Sequence, residues 1–222
     1  MNIEDNIRQF QKRLANTSCK LVAVSKTQPI EALQQAYNAG QRIFGENKAQ
    51  EMAQKAASLP PDIEWHMLGH LQTNKVKYIA PFVHTIQSVD SLRLLEEIDK
   101  QAGKNNRFIN CLLQIYIAQE ETKFGLSVEE ARELLATETL QDFRNIVITG
   151  VMGIATNTSS ETQIQQEFKF LKNIFINFKK TYFSESSEFK EISMGMSSDY
   201  QLAIVEGSTM IRVGSSIFGA RN

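Results

Sequence analysis

The stretch "LVAVSKTQP", Leu21 to Pro29, ends a short β-branched run on an ammonium group, just ahead of a helix-entry proline. A lysine delivered from the tip of a buried strand is a candidate covalent nucleophile, because partial burial lowers its pKa and leaves the amine able to attack a carbonyl. A solvated strand-end cation is the other reading of Lys26. Other segments bear groups of a complementary kind. Asn47 closes "RIFGEN", Ser197 lies in "SMGMSSD" (193–199), and Arg212, Gly214 and Ser215 lie in "RVGSS" (212–216). The last two segments are small, glycine-containing and rich in hydroxyls, as anion-holding turns are. Ser197 is expected to cap the helix that begins "SDYQLAIVEG", which would turn free N–H groups and a positive dipole end toward an anion. Gly214 permits close approach of the backbone, and Ser215 adds a hydroxyl and an N–H.

For these groups to act together, their segments must converge, and the order of elements provides for that. Leu21 to Lys26 reads as a strand, followed by Pro29 and a helix with Ile30, Leu33 and Tyr37 at helical spacing. The alternation recurs. "RIFGEN" (42–47) precedes an alanine-rich helix, "EWHMLG" (64–69) precedes "TNKVKYIA" (73–80), and "FVHTIQS" (82–88) precedes "DSLRLLEEIDKQA" (90–102). "FINCLLQIYIA" (108–118) leads to a helix opened by Ser127 with Glu130, a capping-box spacing. "NIVITGVMGIA" (145–155) is followed by a second box, Thr158 with Glu161, and a long helix striped by Ile164, Phe168, Leu171, Phe175 and Phe178. "FKEISMGM" (189–196) and "TMIRVGSSIFG" (209–219) complete the strands, while 181–190 reads as a polar loop. Near-continuous apolar strands alternating with helices predict an α/β fold, a single (β/α)8 TIM barrel over 21–219 with an extra N-terminal helix at 1–15. One domain spanning 1–222 is expected. In such a barrel the strand C-termini gather on one face, so Lys26, Asn47 and the two glycine-serine tips share it, with phosphate held after the seventh and eighth strands. A phosphate cradle facing a lysine suggests pyridoxal 5'-phosphate (PLP), with which the Lys26 amine can form an imine.

Composition removes other classes. With 24 basic and 25 acidic side chains among 222 residues, the chain has no basic stripe for nucleic acid and no polybasic arm for anionic lipid. The apolar runs fall short of a membrane span and the start lacks a cationic-then-apolar signal, so neither nucleic acid nor membrane is an expected partner and the cytoplasm is the expected location. Cys19 and Cys111 read as small apolar residues. His66 and His70 are four apart, but they straddle a strand rather than a helix and no Glu follows His66, so no metal site is expected. "GMSSD" closes on Asp199 where a nucleophile elbow closes on glycine. Asn74 and Lys75 are expected to cap the third barrel helix and hold the tip loops, contact with a ligand being the other reading, and Tyr116 and Tyr200 are expected to pack, with an acid-base role as their other reading.

The blocks "VAVSKT", "AGQRIFGENKAQE", "WHMLGHLQTNK" and "SMGMSSDYQLAIVEGSTMIRVGSSIFG" resemble the signature segments of the pyridoxal phosphate homeostasis protein family, in order and from residue 21 to 219. The resemblance implies a barrel similar to the N-terminal domain of bacterial alanine racemase, with PLP held by Lys26 as an internal aldimine. It also implies Asn47 beside the ring, Ser197, Gly214 and Ser215 on the phosphate, and Arg212 on the pyridine nitrogen or the phosphate. An arginine at that nitrogen donates a hydrogen bond but gives up no proton, so carbanion chemistry would be weak. The function implied is intracellular PLP homeostasis, by buffering, protection or delivery, without efficient catalysis. Apo PLP-dependent enzymes are the implied recipients and a monomer is expected. The alternative is a PLP-dependent amino-acid racemase of the alanine-racemase type, which needs a second base that the sequence does not identify.

Overall fold

The computed structural model describes residues 2–119 and 124–219; residues 1, 120–123 and 220–222, including the first residue of the expected leading helix, lie outside the described residues. The strands are β1 (Lys20–Val24), β2 (Ile43–Glu46), β3 (Glu64–Met67), β4 (Thr85–Val89), β5 (Ile109–Ile115), β6 (Ile146–Gly153), β7 (Glu191–Ser193) and β8 (Met210–Val213). They pair in parallel in chain order and close on themselves, with Leu21 opposite Ile211 where β8 meets β1. This is the expected (β/α)8 barrel. Its outer layer is α2 (Ile30–Asn38), α3 (Ala49–Ala56), α4 (Thr73–Ile79), α5 (Leu92–Lys104), α6 (Val128–Ala136), α7 (Glu161–Tyr182) and α8 (Tyr200–Val205). The extra helix α1 (Ile3–Leu14) precedes the repeat, and a short α9 (Ser215–Phe218) follows β8.

The apolar stripes lie where their periods placed them. Ile7, Phe10 and Leu14 of α1 are buried, as are Ile164, Phe168, Leu171 and Phe178 of α7. Ser127 and Glu130 form the expected capping box on α6. Other boundaries differ for local reasons. The side chain of Ser160, not Thr158, caps α7, accepting from the Gln163 N–H, and Thr158 instead accepts from Ser160 N–H. The run 209–219 divides at Gly214 into β8 and α9. Polar segment 181–190 carries Phe189, which is fully buried with its ring centroid 4.1 Å from that of Phe183 and 5.0 Å from that of Phe175. The segment's first two residues end α7, and the rest is held to the core by Phe189 with the partly buried Phe183 stacked on it.

Barrels of this kind usually fill their interior with branched aliphatics. Here a buried polar lane occupies it: Arg212 Nη1 donates to Ser193 Oγ (2.7 Å), Ser193 Oγ to Gln87 Oε1 (2.6 Å), and the Gln87 amide meets His66 Nδ1 (2.8 Å). Both cysteines are buried and free, and burial pushes their thiols up, Cys19 to about 11. They are packing residues. No helix among the described residues is long and apolar enough to cross a membrane.

Candidate functional site

Regular pairing of β1 ends at Val24, and Ser25 stays in the barrel wall through its N–H to Gly45 O (3.0 Å). Lys26 follows, half-buried, and Thr27 turns the chain outward at φ 65°, a left-handed conformation uncommon for a β-branched residue. Such a bend persists only where neighbours determine it. They do so here through a network that sequence reasoning missed. Glu51 Oε1 accepts from Thr27 N–H (2.6 Å) and from Lys55 Nζ (2.7 Å), and Lys55 Nζ also donates to Ser25 O (2.7 Å) and Glu46 Oε1 (2.8 Å). Ser25 Oγ donates to the same Glu46 oxygen (2.6 Å). Both neighbours of Lys26 are thus tied to one buried ammonium-carboxylate cluster. Burial raises Glu46 above the usual carboxylate range, although Lys55 and Ser25 pull it down. For Glu51 burial acts in the same upward direction, but Lys55 and the Thr27 N–H outweigh it and hold the carboxyl below its usual value. The available signals were a charged residue ending an apolar strand and a Glu51–Lys55 pair at i,i+4, which reads as a surface ion pair until burial is known.

Asn47 follows β2, half-buried. The loop after β3 crosses so close that a Cβ on Gly69 would stand 2.4 Å from Asn47 O. On the far side, Ser197 does not cap α8. Asp199 occupies that position and its carboxylate accepts from Met196 N–H (2.5 Å), closing a turn ahead of the helix. Ser197 Oγ is left to accept from Gly214 N–H (3.2 Å), joining the loops after β7 and β8. A Cβ on Gly214 would meet Val24 O at 3.1 Å, so the backbone there passes close to the β1 tip. Ser215 opens α9, exposed, where helical geometry leaves the first N–H groups without intrahelical acceptors.

Arg212 lies inside the barrel, 5% exposed, with Nη1 on Ser193 Oγ (2.7 Å) and Nη2 on Gly153 O (2.8 Å). Burial lowers its pKa to about 10, against the opposing charge of Asp199, so the guanidinium remains protonated at neutral pH. Lys26, Asn47, Ser197, Arg212, Gly214 and Ser215 all line one cavity of about 390 Å³ at the C-terminal mouth, walled by Val24, Leu68, Ile154 and Met196. A primary amine, a buried fixed cation, hydroxyl and amide donors and apolar walls form a donor set that suits a flat aromatic aldehyde bearing a phosphate.

The remaining candidates disperse. His66 sits on β3 within the barrel, whereas His70 lies beyond the strand end with Nδ1 2.9 Å from Asp90 Oδ2, so the two do not form a pair. Neither Asn74 nor Lys75 caps α4; its N-cap is Gln72, without a side-chain cap bond. Tyr200 packs edge-on against Phe10 and its hydroxyl accepts from Arg13 Nη1 (2.7 Å), a structural role.

Residues 1–222 match the family described as alanine racemase, N-terminal domain. Among curated relatives, the pyridoxal phosphate homeostasis protein of Aquifex aeolicus is 37% identical over 203 residues, covering 91% of this chain and 87% of that protein. The protein of the same name from Schizosaccharomyces pombe is 36% identical over 216 residues, covering 96% of this chain and 89% of that one. PipY of Synechococcus elongatus PCC7942, solved with PLP bound, superposes at TM-score 0.87 with 35% identity, over 98% of this chain and 100% of PipY. The alanine racemase of Bartonella henselae shares the fold at TM-score 0.72 and 18% identity, with 58% of its chain covered. By sequence along nearly its whole length and by fold, this chain belongs to the pyridoxal phosphate homeostasis proteins of the alanine racemase N-terminal domain family.

Proposed function

We propose that this chain binds PLP at the C-terminal mouth of its barrel and serves PLP homeostasis, keeping and handing on the cofactor without efficient turnover of amino acids. The observation that carries this reading is the convergence of Lys26, Arg212 and the Ser197–Gly214–Ser215 loops on one cavity. PLP supplies an aldehyde that a primary amine takes up reversibly. Lys26 is the residue that would hold it, on a backbone fixed on both sides by the Glu46–Glu51–Lys55 cluster. The hydroxyls of Ser197 and Ser215 and the amides that open α9 would take the phosphate, and Asn47 would lie beside the ring. Arg212 would face the pyridine nitrogen as a donor that keeps its own proton, because its pKa stays near 10. That leaves the ring a poor electron sink.

Among the described residues lining the cavity, Lys26 and Arg212 are the titratable ones, which favours holding over racemisation, a reaction that needs bases on two faces. The working unit in this reading is a monomer, one PLP-binding domain over 1–222, and apo PLP enzymes are the recipients. The test is to mix the loaded protein with L-alanine, L-serine or L-glutamate in deuterated water, and separately with an apo PLP enzyme. Restored activity of the recipient without enzyme-scale α-proton exchange is expected; exchange at about 1 s⁻¹ or faster would make the chain a racemase.

A further inference from the structure

The other end of the barrel holds a second group of chemically active side chains, remote from Lys26 and independent of the PLP reading. Glu64 and His66 occupy alternate positions of β3, and His84 immediately precedes β4. One ligand atom from each of Glu64, His66 and His84 lies within 4.8 Å of the others. The two imidazole rings are parallel, 2° between planes with centroids 5.6 Å apart, and His84 Nε2 is 3.8 Å from Glu64 Oε2. All three line a cavity of about 180 Å³ at the N-terminal mouth.

The second observation is an orphan. His66 is 2% exposed, and its Nε2 has no hydrogen-bond partner among the described residues, although buried ring nitrogens are ordinarily paired. Its Nδ1 is engaged by the Gln87 amide at 2.8 Å. With Gln87 Oε1 on Ser193 Oγ the amide donates to Nδ1 and the ring proton lies on Nε2; turning the amide over sets its NH2 toward Ser193 Oγ, lets Nδ1–H donate to its oxygen, and gives Nε2 the lone pair that a cation requires. His84 has a similar outer partner, its Nδ1 lying 2.8 Å from Thr85 Oγ1. The ammonium of Lys20 also lines the cavity, but Glu191 Oε1 sits 2.5 Å from it and offsets its charge.

We propose that His66, His84 and Glu64 form a binding site for a divalent transition-metal ion of the zinc class, with a remaining coordination position open to water. Two imidazoles and one carboxylate select zinc, cobalt or nickel over magnesium and calcium, which prefer all-oxygen shells. Ligands drawn from two adjacent strands would tie β3 to β4 at the mouth, so the metal also raises the melting temperature.

The chain contains three histidines, and His70 lies at the other end, which gives an internal control. The protein is freed of metal with chelator and titrated calorimetrically with Zn²⁺. The wild type and His70→Ala should each take about one ion per chain, while His84→Ala and Glu64→Gln should bind roughly tenfold or more weakly and lose the thermal gain. The Glu64 side chain is 47% exposed, so its replacement leaves the core intact even if a histidine variant folds poorly. Failure of the wild type to bind Zn²⁺, binding by His84→Ala and Glu64→Gln equal to wild type, or loss confined to His70→Ala would each overturn the proposal.

Discussion

Glu51 and Lys55 act on Lys26 through the backbone. Lys55 holds the residue before it and Glu51 the residue after it. Ionised Glu51 therefore contributes stability at neutral pH. Because its folded pKa is lowered, that contribution is present above its ordinary value of 4.5 and is lost as pH falls through the lower folded value. Urea midpoints of wild type and Glu51→Gln, measured from pH 7 to 3, should differ at neutral pH and converge in acid; a gap that stays constant would contradict the role. On the phosphate side, Ser197→Ala with Ser215→Ala should weaken PLP more than pyridoxal, since each hydroxyl donor to a charged group is worth about 1.5–3 kcal/mol. Ser197 also receives the Gly214 N–H, so pyridoxal binding measures how much of the loss comes from the loosened loops. Equal losses for both ligands would assign the serines to the fold alone. The convergence of Lys26, Asn47, Ser197, Arg212, Gly214 and Ser215 on one cavity was legible because parallel strands present their tips on one face, so sequence position becomes spatial position. Glu46, Glu51 and Lys55 were not, because their importance comes from burial, and His84 meets His66 only through the pairing of β3 with β4.

Among the elements, the loops at the C-terminal mouth are set by close backbone approaches. A side chain on Gly69 would collide with Asn47 O at 2.4 Å, and neither side of that contact is a flexible side-chain end. Gly69→Ala should therefore cost about 1–3 kcal/mol in chemical denaturation and lower PLP affinity as well. An unchanged affinity would remove Asn47 from the site. Helix and strand identities were readable from apolar period and turn residues, as with α7 and the capping box on α6. Terminal residues were less so. Thr158 and Ser160 are both competent caps, and the sequence contains no information on which hydroxyl the chain turns toward Gln163. Similarly, the expected cap at Ser197 gave way to Asp199, whose carboxylate reaches back to Met196 and delays the helix. Phe189 was hidden in a polar segment because a single buried aromatic has no period.

Across the whole molecule, closure of β8 on β1 is what gathers the site, since it sets the Gly214 loop against the tip that carries Lys26. The leading helix α1 reinforces that seam: Asn6 Nδ2 donates to Ile217 O (2.9 Å) in α9, and Arg13 reaches Tyr200 in α8. Both contacted helices follow the loops assigned to the phosphate. The repeat of strand and helix made the barrel legible, but the polar lane from Arg212 to His66 was not, because its members come from β8, β7, β4 and β3 and meet only inside the closed barrel. The central claim is that Lys26 holds the cofactor, and covalent trapping tests it most directly. Protein loaded with PLP should show a visible absorbance band that borohydride abolishes, and peptide mapping should then find the cofactor fixed at Lys26 and absent from a Lys26→Ala variant. A label on Lys48 or Lys75, or a protein that takes up no PLP, would contradict it.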